Sequence, residues 1–535
     1  MILVSLLAVI LPLVFLVVMN LPAITGMTLS ALIVAVSTFV FWKMPIQVLS
    51  ASILQAVHKT IPILWILFGA LMMLAVLQLT GAIVRINEGF TVVTSDMRIL
   101  TIFIAFLFGG LIEGVSGFGT PAMVTAPLLM ALGFRPIAAV TLALVGDSTA
   151  ASFGAVGTPL TVGLSNVAQN KEAIQTIGET VTQVDLTSGI VVPTLMIMLL
   201  VFFFGNESKQ KKIKSFLEIV PWALMVGFCY VIVAMAVVNL IGYEFSSVIT
   251  PLIVLLLAIV TVKFKIFLPK SVFQQPWHAA QDPNRKDVTS RKSPMSLGLA
   301  WLPYLLVVVL LLLSRTVPML KQSMTQVLDL SWRHILGFQT ISSDWQFLYS
   351  PGTILVIAAL IGLYCQSKTI RPFVTESKKI IRDMLPTAIT LAVTLIMVQI
   401  FSNSGLNQAN LASMPTYIAK TIATVAAPFW VVIAPFIGEL GAFITGSATV
   451  STLTFAPIQY DVANQAQLST PVILAMQVIG AAAGNMICVH NIVAAGAVVG
   501  LGGNEGIILR KTALPALIYG FLLGLTGLLL LNYLK

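Results

Sequence analysis

Long runs of apolar residues recur along the whole chain, separated by short polar connections, as in 300–313, 353–363 and 385–400. A run of about 20 such residues spans the roughly 30 Å of hydrocarbon in a bilayer. Only helices or closed barrels can cross there, and these runs lack the apolar/polar alternation of a barrel strand. The pattern predicts an all-α polytopic membrane protein with roughly 12–14 transmembrane segments, some of them broken or re-entrant.

Composition and charge agree with this class. Hydrophobic residues make up 58% of the chain and charged residues 9%, against about a quarter charged in soluble domains. The first run, Ile2–Met19, has no preceding Lys or Arg and no small-residue cleavage pattern, which favours a retained span over a signal peptide. The formal charge of +10 is spread over short loops between spans, so the bilayer is the expected partner and nucleic acid is not.

The placement of basic residues predicts the topology. Three basic stretches are expected to face the cytoplasm under the positive-inside rule: Lys209–Lys214, Lys263–Lys292 and Lys368–Arg382. Two predicted spans separate each stretch from the next, so all three return to one side. The connections with little positive charge are expected to face outward: Gln169–Ser188, Lys321–Asp344 and Ser402–Ala419.

Similar motifs in two parts of the chain predict an internal repeat. Residues 1–273 form a first membrane half with its motif in 109–163, and residues 297–535 form a second half with its motif in 436–506. In each motif a hydroxyl residue precedes Gly, a Thr follows that Gly by three positions, and Ala-Pro comes later. Residues 274–296 are the expected cytoplasmic linker. Paired Gly-interrupted segments are typical of broken helices around a site at the middle of the membrane.

The two breaks supply candidate substrate-binding residues. Half-helix ends leave backbone N–H groups unpaired and carry partial positive charge, so a break at membrane depth can receive a carboxylate. The expected substrate cradle consists of Ser116, Gly117, Thr120, Thr445, Gly446, Ser447 and Thr449, together with Asn485 and His490 at a later break of the second half. The alternative is that these small residues only allow close helix packing.

Three acidic residues lie within apolar surroundings: Glu113, Asp147 and Glu439. An acid at mid-bilayer costs about 2.5–3.5 kcal/mol on insertion scales, so such residues usually have a function. Burial favours the neutral form of a carboxyl group, which lets it take up and release a proton. These three are the candidate proton-coupling residues, and a structural role in hydrogen bonding is the alternative.

Other chemistry has little support in the sequence. Cys229, Cys365 and Cys488 lie far apart and are interpreted as reduced structural residues. Cys488 and His490 lack a third nearby ligand, so no metal site is predicted. No motif typical of a catalytic site or a nucleotide-binding site occurs in a credible sequence context. Neither an enzyme nor a cofactor is therefore expected.

The motifs resemble those of the lactate permease family. The resemblance lies in GGLIEGVSGFGTP at 109–121, FGAVGTP at 153–159, GAFITGS at 441–447 and VGLGGNEG at 499–506, and it extends almost end to end. It implies uptake of lactate or glycolate with a proton across a bacterial cytoplasmic membrane, in an inverted-repeat fold of the ion-transporter superfamily.

Four positions depart from the family pattern. Asp147 and Glu439 stand where many members have Asn, Asn485 where they have Lys, and Ala448 where they have Asp. The region is therefore more negative than in those members, and a bare monocarboxylate binds there less well unless more protons or cations accompany it. The carboxylate's identity, proton or sodium coupling, and the oligomeric state stay open.

Two other classes compete with a symporter that works by alternating access. A passive channel for a small solute needs no buried titratable acids. A membrane enzyme needs acid or His clusters at one interface, whereas the four His residues, at 58, 278, 334 and 490, are dispersed.

Overall fold

The apolar runs fold into a bundle of helices in the computed structural model, which describes residues 1–533 except 118, 169, 275–294, 368, 370, 427 and 428. The first thirteen helices are α1 Ile2–Ser5, α2 Leu7–Pro12, α3 Ala23–Phe41, α4 Ile46–Leu79, α5 Ala82–Val93, α6 Met97–Thr101, α7 Gly109–Ser116, α8 Thr120–Ala131, α9 Pro136–Gly146, α10 Thr158–Thr161, α11 Lys171–Ser188, α12 Val192–Met198 and α13 Lys209–Leu240. The others are α14 Ser246–Lys263, α15 Leu297–Thr316, α16 Pro318–Gln326, α17 Pro351–Ser367, α18 Arg371–Asp383, α19 Leu385–Asn403, α20 Met414–Ala426, α21 Trp430–Thr445, α22 Ala448–Gln465, α23 Thr470–Gly484, α24 Val489–Val498 and α25 Glu505–Tyr533.

The predicted 12–14 segments include broken or re-entrant ones, and the structure contains both kinds of helix. Within the described residues, ten helices are long and apolar enough to cross a membrane, or up to eleven if the bent pair Pro136–Gly146 and Ala150–Thr161 is one span. Five more apolar helices are only 10–17 residues long, among them Thr120–Ala131 and Trp430–Thr445. Helices of this length are too short to cross the hydrocarbon alone. The protein is all-α and polytopic, as predicted.

Three stretches predicted as loops are helical. Most of Gln169–Ser188 is α11, which continues through short helical segments to Phe204 as one candidate span. The lysines of 209–214 occupy the first turns of α13, and most of Lys368–Arg382 is α18. The predictions were wrong because charge marks the end of a span but does not end the helix itself.

Side-chain contacts join the predicted connections to the bundle. Arg98 binds Asp96, Nη2 to Oδ2 at 2.5 Å, and donates to the backbone oxygens of Ser215 and Ser271. Ser215 follows one predicted cytoplasmic stretch, and Ser271 lies within another. His58 contacts Ser343 Oγ through Nδ1 at 2.8 Å, and Ser343 belongs to a predicted outward connection. The predicted cytoplasmic linker lies mostly outside the described residues.

The two predicted halves pack against each other through several helices. Helix α4 packs against α17 and α19, and α3 also packs against α19. Close approach uses small residues, since Gly352 lies against the backbone of Trp65. The first-half helices α3 and α4 therefore contribute to the environment of the second half.

Candidate functional site

The first helix break lies at Gly117–Gly119. Helix α7 ends at Ser116, Gly117 and Gly119 have φ angles of +65° and +72°, and α8 begins at Thr120 with Pro121 in its first turn. Glycine adopts positive φ without the steric cost of a side chain, and Pro is preorganised for a helix start. Ser116 and Thr120 are fully buried, so the break lies inside the bundle.

The second break lies at Gly446 and has the same order of elements. Helix α21 ends at Thr445, Gly446 adopts φ +68°, and α22 begins at Ala448. Ser447 caps α22, its Oγ accepting from the backbone N–H of Val450 at 3.3 Å. Both breaks lie in the stretches that the sequence predicts.

A third broken segment touches both of these breaks. Between α23 and α24 the chain forms a short helical turn, Asn485–Ile487, and an extended residue, Cys488. A Cβ atom built on Gly119 would lie 2.7 Å from Asn491 Oδ1, and one built on Gly446 would collide with the His490 ring. His490 and Asn491 are consecutive, so the first break contacts one of two neighbouring side chains and the second break contacts the other. Asn491 was not among the predicted site residues, although its place beside His490 was a usable signal.

Most hydroxyl groups of the predicted cradle are bonded within their own helices. Ser116 Oγ donates to Ile112 O at 2.7 Å, and Thr445 Oγ1 donates to Gly441 O at 2.8 Å. Thr120 Oγ1 and Asn485 Oδ1 are different, since both are buried without a hydrogen-bond partner. Buried polar atoms are rarely left unpaired, so these two are the strongest candidates for contact with a bound solute.

Two of the predicted acids lie together and the third lies apart. Glu113 on α7 and Asp147 after α9 are each 4% exposed and close enough to interact electrostatically. Each has a carboxylate oxygen without a hydrogen-bond partner. Glu439 on α21 is equally buried, but its carboxyl group faces Gly520 of α25. No ion pair involves these three acids in the described part of the chain.

Asp147 lies near Glu113 at a second break in the first half of the chain. After α9 the chain bends by 44° and passes through Gly154 and Gly157, both with positive φ. Ser247 of α14 donates to Gly154 O at 2.7 Å and holds this segment in place. The hydroxyl oxygens of Thr149 and Ser152 are buried there without partners.

An arginine that the sequence analysis missed lies beside the first break. Arg315, at the end of α15, donates from Nε to Val115 O at 3.3 Å, and its guanidinium carbon is 3.6 Å from the centre of the Tyr349 ring. Its Nη1 is buried without a hydrogen-bond partner. A cation therefore lies next to the predicted substrate cradle.

A small cavity adjoins the second break. It has a volume of about 50 Å³ and is lined in part by Thr445, Ser402, Ser413 and Thr454. His490, whose ring lies against Gly446 at the same break, has its Nδ1 atom 3.3 Å from Cys488 Sγ.

Comparisons with known proteins agree along the whole chain. A family profile described as L-lactate permease matches residues 1–534. The chain is 29% identical to a putative L-lactate permease of Haemophilus influenzae over 91% of this chain and 90% of that protein. It is 27% identical to the L-lactate permease of Bacillus subtilis, covering 90% and 86% of the two chains. It is 26% identical to the glycolate permease GlcA of Escherichia coli, covering 95% and 91%.

Proposed function

Because this chain belongs to the L-lactate permease family, we propose that it imports a small monocarboxylate, lactate or glycolate, together with protons. It is a multi-pass protein of the cell membrane. Relatives named for lactate and for glycolate match it at similar identity, so both acids are proposed substrates.

The observation that supports this proposal most is that the helix breaks lie close together. The N-terminal ends of α8 and α22 bear partial positive charge, and Asn491 and His490 connect the two breaks. Thr120, Asn485 and the nearby Arg315 offer unpaired hydrogen-bonding atoms. These groups suit a ligand with one carboxylate and one hydroxyl group.

The Glu113–Asp147 pair supports coupling to protons. Two nearby carboxylates cannot both be charged cheaply away from water, so the pair favours retaining a proton. Loss of that proton adds a negative charge near the break and repels a substrate anion. Protonation and substrate binding therefore favour each other, which is the linkage that symport requires.

The proposed transport cycle is alternating access. The break between α7 and α8 contacts Asn491, the break between α21 and α22 contacts His490, and the cavity beside the second break is small. A substrate can enter this arrangement when one hairpin-bearing unit moves against the rest of the bundle, with the breaks as hinges.

Sodium coupling is the second candidate. Thr149 and Ser152 follow Asp147 closely, and their buried hydroxyl oxygens lack partners. Oxygen atoms around a carboxylate form a suitable environment for a hard cation.

Uptake of labelled lactate and glycolate into proteoliposomes tests the proposal. We expect accumulation driven by an inwardly directed proton gradient in the absence of sodium. Accumulation that requires a sodium gradient identifies the second candidate. Equilibration without accumulation under either gradient identifies a passive channel and overturns the proposal.

A further inference from the structure

Asp185 is a further buried acid, outside the set identified from the sequence. Asp185 is on α11, fourteen residues after Lys171, or about 21 Å along the helix axis. It is 4% exposed, and its Oδ1 accepts a hydrogen bond from the Tyr519 hydroxyl at 2.9 Å and one from Ser188 Oγ at 3.3 Å. It was assigned to an outward-facing connection, whereas the structure places it inside the bundle.

Asp185 has no cationic partner among the described residues. The helices that pack against α11 include α13, α23 and α25. From α13 and α25 the titratable groups that interact with Asp185 are Tyr230 and Tyr519, while α23 contains no titratable residue. Tyr243 and Glu244 lie near the beginning of α11, where Glu244 pairs with Lys171 at 3.2 Å. An isolated acid at this depth is costly, and such acids in transporters commonly carry protons.

Polar groups connect Asp185 with the Glu113–Asp147 pair. Tyr230 lies within electrostatic range of both Asp185 and Asp147. The Tyr519 hydroxyl lies close to Thr149, two residues after Asp147, although Thr149 Oγ1 completes no hydrogen bond. The adjacent Gly520 faces the carboxyl group of Glu439, which is a further titratable group beside this part of α25.

We propose that Asp185 is a second proton-carrying station, which exchanges its proton with the Glu113–Asp147 pair through the Tyr519 hydroxyl. The O–H bond of protonated Asp185 breaks as its proton moves to the Tyr519 oxygen. The original hydroxyl proton of Tyr519 passes to the Thr149 hydroxyl, and the proton that Thr149 held passes to the Asp147 carboxylate. Tyr519 is neutral before and after, and the negative charge moves from Asp147 to Asp185. This inference rests on the proposed proton symport.

Asp185→Asn separates this role from a structural one. Asparagine has nearly the same size and retains an oxygen that accepts from Tyr519, so a structural role would survive the change. We expect proton-driven accumulation in proteoliposomes to fall at least about tenfold, while exchange of labelled for unlabelled substrate continues. The number of protons taken up per substrate, measured with an internal pH-sensitive dye, should fall as well.

Two further variants complete the test. Glu179→Gln makes the same acid-to-amide change on α11, at a half-buried side chain bonded to Gln175, and should behave as wild type. Tyr519→Phe removes the connecting hydroxyl and keeps the ring, so it should slow proton-driven uptake more than exchange. It also tests the proposal if Asp185→Asn does not fold.

Each result has a distinct meaning. Unchanged accumulation and proton uptake in Asp185→Asn overturn the second station, as does equal loss of accumulation and exchange in a folded variant. If the wild-type protein itself shows no proton-driven accumulation, the proposed function fails instead.

Discussion

At the scale of single residues, the site depends on glycines that touch side chains of distant helices. Gly446 lies against the His490 ring and Gly119 lies against Asn491. Both glycines also have positive φ angles, so a side chain there is disfavoured by the backbone and by the neighbour. The acids Glu113, Asp147 and Glu439 are buried and form no ion pair among the described residues, which is why they are candidates for proton coupling.

Glu113→Gln should uncouple transport from the proton. The amide is permanently neutral and similar in size, so substrate binding and exchange should continue while proton-driven accumulation falls at least about tenfold. The exposed Glu207→Gln is the matched control and should change nothing. If Glu113→Gln accumulates substrate with unchanged pH dependence, the proton is carried elsewhere, and Asp147 and Glu439 should be tested next.

Gly446→Ala should damage the protein more than Gly500→Ala. Both positions have positive φ, which costs a side chain about 1–2 kcal/mol. Only Gly446 also meets a ring, because nothing lies within 4 Å of a Cβ on Gly500. Thermal unfolding in detergent should therefore rank wild type above Gly500→Ala and Gly500→Ala above Gly446→Ala.

Adding His490→Ala to Gly446→Ala should restore part of the lost stability, because the colliding ring is then gone. Purely additive losses in this double variant would contradict the contact.

Arg315→Gln should weaken substrate binding. The guanidinium lies beside the first break, and removing its charge should raise the KM for lactate about tenfold with a smaller effect on kcat. Arg315→Lys keeps the charge, so its KM for lactate should lie between that of the wild type and that of Arg315→Gln. Arg333→Gln, at an exposed residue paired with Asp329 at 3.8 Å, is the control. An equal loss of stability and rate without a change in KM would show that Arg315 only holds the end of α7.

At the scale of elements, the basic residues of two predicted cytoplasmic stretches belong to the helices α13 and α18. The helix α18 carries Arg371, Lys378, Lys379 and Arg382, with Ile380 as its buried residue. Such a helix suits the membrane–water interface, with its charges in the polar layer. The sequence pattern predicted a basic connection at these residues, whereas the structure shows a helix.

Labelling of introduced cysteines should assign α18 and the beginning of α13 to the cytoplasm. Lys379 and Lys211 are exposed, so cysteines there should react with an impermeant reagent in inverted vesicles and not in intact cells. A cysteine at the exposed Gln322 should show the opposite pattern. Modification at position 211 from outside intact cells would refute the predicted topology.

At the scale of the whole molecule, the two predicted halves are in contact along several helices. Helix α4 lies against α17 and α19, and the helix breaks of both halves meet at the segment between α23 and α24. Contacts between the halves therefore build both the scaffold and the site.

Separate expression of the halves tests whether they depend on each other. Fragments 1–284 and 285–535, cut within the predicted linker, should each be degraded when expressed alone, because α4 and α19 would lose their packing partners. Co-expression should restore membrane insertion and some lactate uptake. Stable accumulation of either fragment alone would show that the halves fold independently.

The sequence by itself determined the membrane class, the family and the positions of the helix breaks. Spans are recognisable because hydrocarbon demands apolar side chains over a fixed length, and the breaks at Gly117 and Gly446 because positive φ favours glycine. These are local requirements, so local sequence reports them. The buried positions of Glu113, Asp147 and Glu439 could also be anticipated from their apolar neighbours.

Only the tertiary structure decided which of these residues meet. Asp185 and Tyr519 are 334 positions apart, and Arg315 and Val115 are 200 apart. Apolar patterning fixes which residues enter the membrane but not which helix each one faces, because lipid and a neighbouring helix are equally apolar. Those pairings follow from close packing of small residues along entire helices, a property of the assembled bundle.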